Sequence, residues 1–118
     1  MPVERAVTAY KTERLNCAQS VLRAFQCCRN IHEDDITAAR RYGGGRAEEG
    51  LCGALYAALQ LAEAPAFRER IRDEFVTSVG SDQCLEIRRA ARVPCVECVR
   101  QAASLLVTHG GITLKERS

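Results

Sequence analysis

Cysteine is the residue whose number and placement point to chemistry in this chain. Seven are present, at Cys17, Cys27, Cys28, Cys52, Cys84, Cys95 and Cys98, about three to four times ordinary usage. An odd count fits poorly with complete pairing inside one chain. A reducing cytosol also argues against a structural disulfide framework. Three roles are left: thiolate redox chemistry, ligation of a metal or an iron–sulfur cluster, and burial as a small apolar side chain.

Four of the seven share a local context. Cys17 directly follows Asn16, a candidate helix cap with Gln19 placed three residues on to complete a capping box. A helix continuing through Asn16 is equally allowed. Cys52 follows the glycine-rich stretch Gly43 to Gly50, Cys84 lies three residues after the candidate cap Ser81, and Cys95 follows Pro94. Each is expected in or near a first helical turn, where unpaired amide N–H groups and the helix dipole favour negative charge. A thiol there loses its proton more readily, and the thiolate is both nucleophile and metal ligand. Four such helix starts meeting at one place would suit an anionic iron–sulfur cluster, and Arg88, Arg89, Arg92 and Arg100 could add to the effect. Cys27 and Cys28 fall at a helix end without a partner pattern and read as buried filler.

Cys95-Val96-Glu97-Cys98 is a CxxC. At a helix start it can act as a dithiol pair or supply two metal ligands. A zinc site would want a second pair at matching spacing, and none is present. Val99 stands where CxxCH needs histidine, so haem attachment in its usual form is excluded. Other groups carry weaker signals. Gly43-Gly44-Gly45 before Arg46 reads as a helix stop and tight turn rather than an anion nest, and it lacks the Gly-Lys-Ser/Thr of a P-loop. His32 and His109 sit at helix ends, and Tyr10, Tyr42 and Tyr56 read as core or rim residues. No Ser/His/Asp set or paired-carboxylate motif stands out, so no catalytic residue is assigned.

The elements that must position these thiols are helices. Apolar spacing of three and four residues predicts a first helical region from about Val3 to Cys28 and a short helix over Glu33 to Tyr42. Further helices are expected over Glu49 to Glu63, from Pro65 to Gly80, from Ser81 to about Ala91, and from Cys95 to His109. Short connections make this an all-α fold, a compact bundle of about five to six helices. A chain of 118 residues can bury a core without disulfides. Residues 1–111 are expected to form a single helical domain and 112–118 a polar tail. The net charge is +2 with both signs interleaved, which gives no reason to expect nucleic acid or an anionic membrane as partner. No apolar run is long enough to span a membrane. The start lacks the apolar stretch of a secretory signal, so a cytoplasmic location is the expectation.

The succession Asn16-Cys17-Ala18-Gln19-Ser20-Val21-Leu22, Gly43-Gly44-Gly45, Gly50-Leu51-Cys52-Gly53-Ala54, Gly80-Ser81-Asp82-Gln83-Cys84 and Cys95 resembles the C-GCAxxG-C-C (CGAxxG-motif) family, to which a redox role is ascribed. The resemblance spans about Leu15 to Leu106. Its four defining cysteines would be Cys17, Cys52, Cys84 and Cys95, with Gly43, Gly44, Gly45 and Gly53 supporting the motif. The chain departs from the pattern at Ala57, where the motif's last glycine would stand, and this bears on close helix packing more than on chemistry. The resemblance implies an α-helical fold and a redox or cluster-binding role.

The expected function is therefore that of a redox-active protein with clustered cysteines. Its centre would be an iron–sulfur or other thiolate-bound metal site on Cys17, Cys52, Cys84 and Cys95, or a reversible thiol/disulfide couple. Cys98 would serve as an additional or resolving thiol. The alternative is a non-catalytic zinc-binding or helical interaction protein with structural cysteines. A redox partner is expected without being named by the sequence, and a homodimer is compatible with it.

Overall fold

Asn16 decides how the first part of the chain folds. In the computed structural model, which describes residues 2–26, 30–42, 50–90 and 93–110, helix α1 runs over Pro2–Thr12 and α2 over Cys17–Ala24. Between them Arg14 takes a left-handed φ of 58°, a conformation that no helix interior accommodates. The Asn16 side chain accepts the Gln19 amide N–H at 2.8 Å, and the Gln19 side chain accepts that of Asn16 at 3.0 Å. This reciprocal capping box is the one the sequence offers, and it starts a separate helix rather than letting one run through.

The same two side chains tie α2 to the next segment. Asn16 Nδ2 donates to the Arg40 carbonyl at 2.9 Å, and Gln19 Nε2 donates to the Ile36 carbonyl at 2.9 Å. Gln19 is buried, so its amide needs such a partner. These carbonyls belong to α3, Glu33–Ala38, and to the 3₁₀ turn Ala39–Tyr42 that extends it. His32 is the N-cap of α3.

Helices α4 (Gly53–Leu61), α5 (Pro65–Val79), α6 (Cys84–Ala90) and α7 (Cys95–His109) complete the bundle. Pro65 opens α5, Gly80 caps its end and Pro94 is the N-cap of α7, as their chemistry predicts. Two helices start later than the apolar spacing suggests, α4 at Gly53 rather than Glu49 and α6 at Cys84 rather than Ser81. The residues before each are engaged with one another. Leu51 and Gln83 form an isolated antiparallel bridge, and the Cys52 N–H donates to the Asp82 carbonyl at 2.8 Å. Backbone groups committed across the chain in this way cannot also serve a helix.

Helix α7 lies at the centre, packed against α1, α2, α4 and α5. Val99, Ala102, Ala103 and Leu106 of α7 are fully buried, alongside Val21, Phe25, Leu55, Ile71 and Phe75. Each large apolar side chain in such a core contributes about 1.5–3 kcal/mol relative to exposure. The small alanines let the helix axes approach. The result is the expected all-α bundle, with seven α-helices among the described residues because the first helical region divides at Asn16. No helix among the described residues is long and apolar enough to cross a membrane. The tail 112–118 lies outside the described residues.

Candidate functional site: the cysteine cluster

The cysteines occupy the helix starts assigned to them from sequence. Cys17 is the first residue of α2, Cys52 the N-cap of α4, Cys84 the first residue of α6 and Cys95 the first residue of α7. The fold brings all four together. With Cys98 and Ile87 they line one cavity of about 20 Å³. Cys98 joins because it follows Cys95 by three residues and so shares its face of α7. None of the five is joined in a disulfide. Four are buried, at 8% exposure for Cys17, 4% for Cys52, 7% for Cys84 and 3% for Cys98. Cys95 is half-buried and is the one of the five that solvent reaches. Cys27 and Cys28 lie outside the described residues.

Two glycines make the gathering possible. A Cβ on Gly53 would stand 2.9 Å from Cys17 Sγ and 2.8 Å from the Tyr42 carbonyl oxygen, well inside van der Waals contact. Its absence lets the α2 thiol lie against the start of α4. Gly50 has a φ of +75°, and a Cβ there would meet Gln83 Oε1 at 2.7 Å. Glycine alone takes that conformation without strain, and the turn delivers Leu51 and Cys52 to the bridge with Gln83. On the other side of the bridge, Ser81 Oγ accepts the Gln83 N–H at 3.0 Å, and Arg72 holds the Asp82 carboxylate at 2.9 Å. Gly43, Gly44, Gly45 and Arg46 lie outside the described residues. Ala57 is buried and lines a second cavity, of about 450 Å³, beside Tyr42 and Tyr56.

The electrostatics of the buried thiols differ from the sequence expectation. Cys17 donates a hydrogen bond to Cys52, and that bond, with burial and the charge Cys52 would carry, pushes the Cys17 thiol strongly up. The amide N–H groups of Ala18 and Ala54 pull the other way and lose. For Cys52 the bond from Cys17 works downward. It is outweighed by the bond Cys52 donates to Cys98, by burial and by the charge of Cys98, and the thiol is pushed up to about 12. The helix-start donors are present, but desolvation and neighbouring sulfur dominate. Both thiols are held protonated, as a row running from Cys17 through Cys52 to Cys98.

Tyr10, read from the sequence as a core or rim residue, stands at the site. Burial first, then the charge and hydrogen bond of Cys95, then the charges of Cys17 and Cys98, raise its hydroxyl to about 12. The tyrosine of α1 therefore stands at the cluster, hydrogen-bonded to the reachable thiol. A signal existed. Ala6 and Val7 are buried on α1, and Tyr10 continues their face at three- and four-residue spacing. Of the arginines expected to help, Arg100 is paired with Glu97 at 3.0 Å and Arg89 is exposed, while Arg92 and the side chain of Arg88 lie outside what the structure describes. His109 pairs with Glu74 at 3.2 Å, consistent with a helix-end role rather than a ligand.

Five sulfurs have the donor chemistry of a soft metal or an iron–sulfur site. Among the described residues no three candidate ligands stand where an ion could be held. The cavity between the sulfurs, about 20 Å³, has room for roughly one water-sized body. Thiols gathered at one cavity have the chemistry to take up a disulfide supplied by another molecule and to pass it between neighbouring sulfurs. Comparison with protein-family models, with curated proteins and with solved structures finds no match for the chain.

Proposed function

We propose that this protein is a thiol–disulfide redox protein whose exchanging pair is Cys95 and Cys98. The observation that carries the reading is the gradient across the CxxC. Cys95 is half-buried at the first turn of α7, and Cys98, one turn inward, is buried in the same cavity. An attacking thiol must be reachable and a resolving thiol must be close behind it.

The chemistry balances without a further reagent. The Cys95 thiolate attacks a disulfide of the partner, forming a mixed disulfide and releasing one partner thiolate. Cys98 then attacks the Cys95 sulfur, and the second partner thiolate leaves. Two electrons and two protons pass from the dithiol to the partner, and the reverse sequence oxidises a partner dithiol. The partner class is thus a disulfide or dithiol compound or protein. The resemblance to the CGAxxG-motif family supports a redox role in general terms. An iron–sulfur or zinc centre is the competing account of the same sulfurs.

The test is exchange with an oxidised small-molecule dithiol under nitrogen, read by acid quench, alkylation and intact mass. The parent should lose two hydrogens per exchange. Cys98→Ala should accumulate the mixed disulfide on Cys95, and Cys95→Ser should not react. Iron, sulfide and zinc analysis of the same anaerobic preparation separates the metal account. A stoichiometric metal that blocks exchange would contradict the proposal.

A further inference from the structure

Two thiols suffice for the exchange just described, yet one cavity of about 20 Å³ gathers five, and Cys17, Cys52 and Cys98 lie on its buried side. All three line that cavity, and Cys52 interacts electrostatically with Cys98 on one side and with Cys17 on the other. Cys17 and Cys52 are buried, at 8% and 4% exposure, so a partner disulfide cannot reach them directly. They are reachable from inside, through Cys98. Gly53 presses the start of α4 against Cys17 Sγ, and the backbone bond from Cys52 to Asp82 fixes the Cys52 segment against the α6 side. The inner pair is thus held by the frame of the fold.

We propose that the cluster is a disulfide relay, in which a disulfide made at Cys95–Cys98 is passed through Cys52 to a buried store at Cys17–Cys52. The inference rests on the thiol-exchange function proposed above and adds a second pair to it. In the first step the Cys52 sulfur attacks the Cys98 sulfur. The Cys95–Cys98 bond breaks, the Cys52–Cys98 bond forms, and Cys95 leaves with the proton that Cys52 gives up. Tyr10, hydrogen-bonded to Cys95, steadies the charge on that leaving sulfur. In the second step Cys17 attacks the Cys52 sulfur. The Cys52–Cys98 bond breaks, the Cys17–Cys52 bond forms, and Cys98 leaves with the proton of Cys17. No electron or proton enters or leaves the chain in either step. The rim dithiol is regenerated, so one chain accepts a second disulfide from its partner and holds two in all. The inner disulfide is shielded from bulk reductant by the burial that shields its thiols.

The experiment maps disulfides by peptide mass spectrometry after oxidised glutathione is added to the reduced full chain in one and then two equivalents. With one equivalent, the parent is expected to carry Cys17–Cys52 and a reduced Cys95 and Cys98. With two equivalents it carries both disulfides. Cys52→Ser should stop at Cys95–Cys98, with loss of half the capacity. Cys17→Ser should trap Cys52–Cys98. Cys95→Ser should lose the inner disulfide although both inner cysteines are intact. A parent that saturates at Cys95–Cys98 with Cys17 and Cys52 still reduced overturns the relay and leaves the exchange function standing. An inner disulfide formed equally well in Cys95→Ser also overturns the relay. Failure of Cys52→Ser to form Cys95–Cys98 overturns the exchange function itself.

Discussion

Cys17 and Cys95 each begin a helix, yet they occupy opposite situations. Cys17 is buried at the start of α2, gives a hydrogen bond to Cys52 and is held protonated. Cys95 opens α7 half-exposed, with the Tyr10 hydroxyl against it. The same local device therefore yields a hidden thiol in one place and a reachable one in the other. A helix start supplies N–H donors, but the packing around it decides whether those donors or desolvation prevail.

The contrast is broken most readily by thiol labelling of the native, reduced protein. Of the five cavity cysteines, Cys95 should react first and the buried four later by orders of magnitude, since they wait for local opening. Equal rates at Cys17 and Cys95 would remove the distinction. Next in size is Gly53→Ala. The added Cβ must displace Cys17 Sγ or the Tyr42 carbonyl, an overpacking cost of about 2–3 kcal/mol in urea unfolding. The same variant should speed labelling of Cys17 while leaving that of Cys95 little changed, which ties the hidden side to this one contact.

Alkaline pH sharpens the comparison further. Folding raises the Cys52 pKa from 9.0 to about 12 and moves Cys17 the same way. The folded protein keeps protons that the unfolded chain releases. The stability from this source is full below about pH 9 and is lost as pH rises towards about 12, at up to about 1.4 kcal/mol per pH unit for each thiol. Urea unfolding under reductant at rising pH should show that decline. Cys52→Ala should reduce the slope, and Tyr10, raised to about 12, should keep it from vanishing. The smallest effect expected is that of Asn16→Ala, which removes the cap in front of Cys17 and its bond to Arg40 at a cost of about 1–2 kcal/mol. A variant as stable as the parent would show that the capping box does not hold α2 in place.

Much of this was legible in the sequence because it is written locally. Asn16 with Gln19, Pro65, Gly80 and Pro94 are each a chemical instruction about a helix end, and each is obeyed. Cys17 and Cys95 take their helix starts from two of those instructions, Asn16 and Pro94. What sequence did not disclose arises between distant segments. The bridge of Leu51 with Gln83 delays α4 and α6, and no local propensity announces it. Tyr10 meets Cys95 only when α1 packs on α7. The protonated state of Cys17 and Cys52 depends on sulfurs from other helices, so a rule about helix dipoles taken alone gives the wrong sign. Cys98 lay at the edge of what could be read, since its spacing placed it beside Cys95 without showing that Cys52 would lie behind it.

Under the proposed function Cys95 and Cys98 form the working dithiol, with the buried thiols behind them. Equilibration of the chain in anaerobic thiol–disulfide buffers of graded potential, with quantitative alkylation at each cysteine, tests it most directly. Cys95 and Cys98 are expected to convert together as a reversible two-electron couple. Cys95 and Cys98 remaining reduced at every potential, or titrating independently of each other, would contradict it.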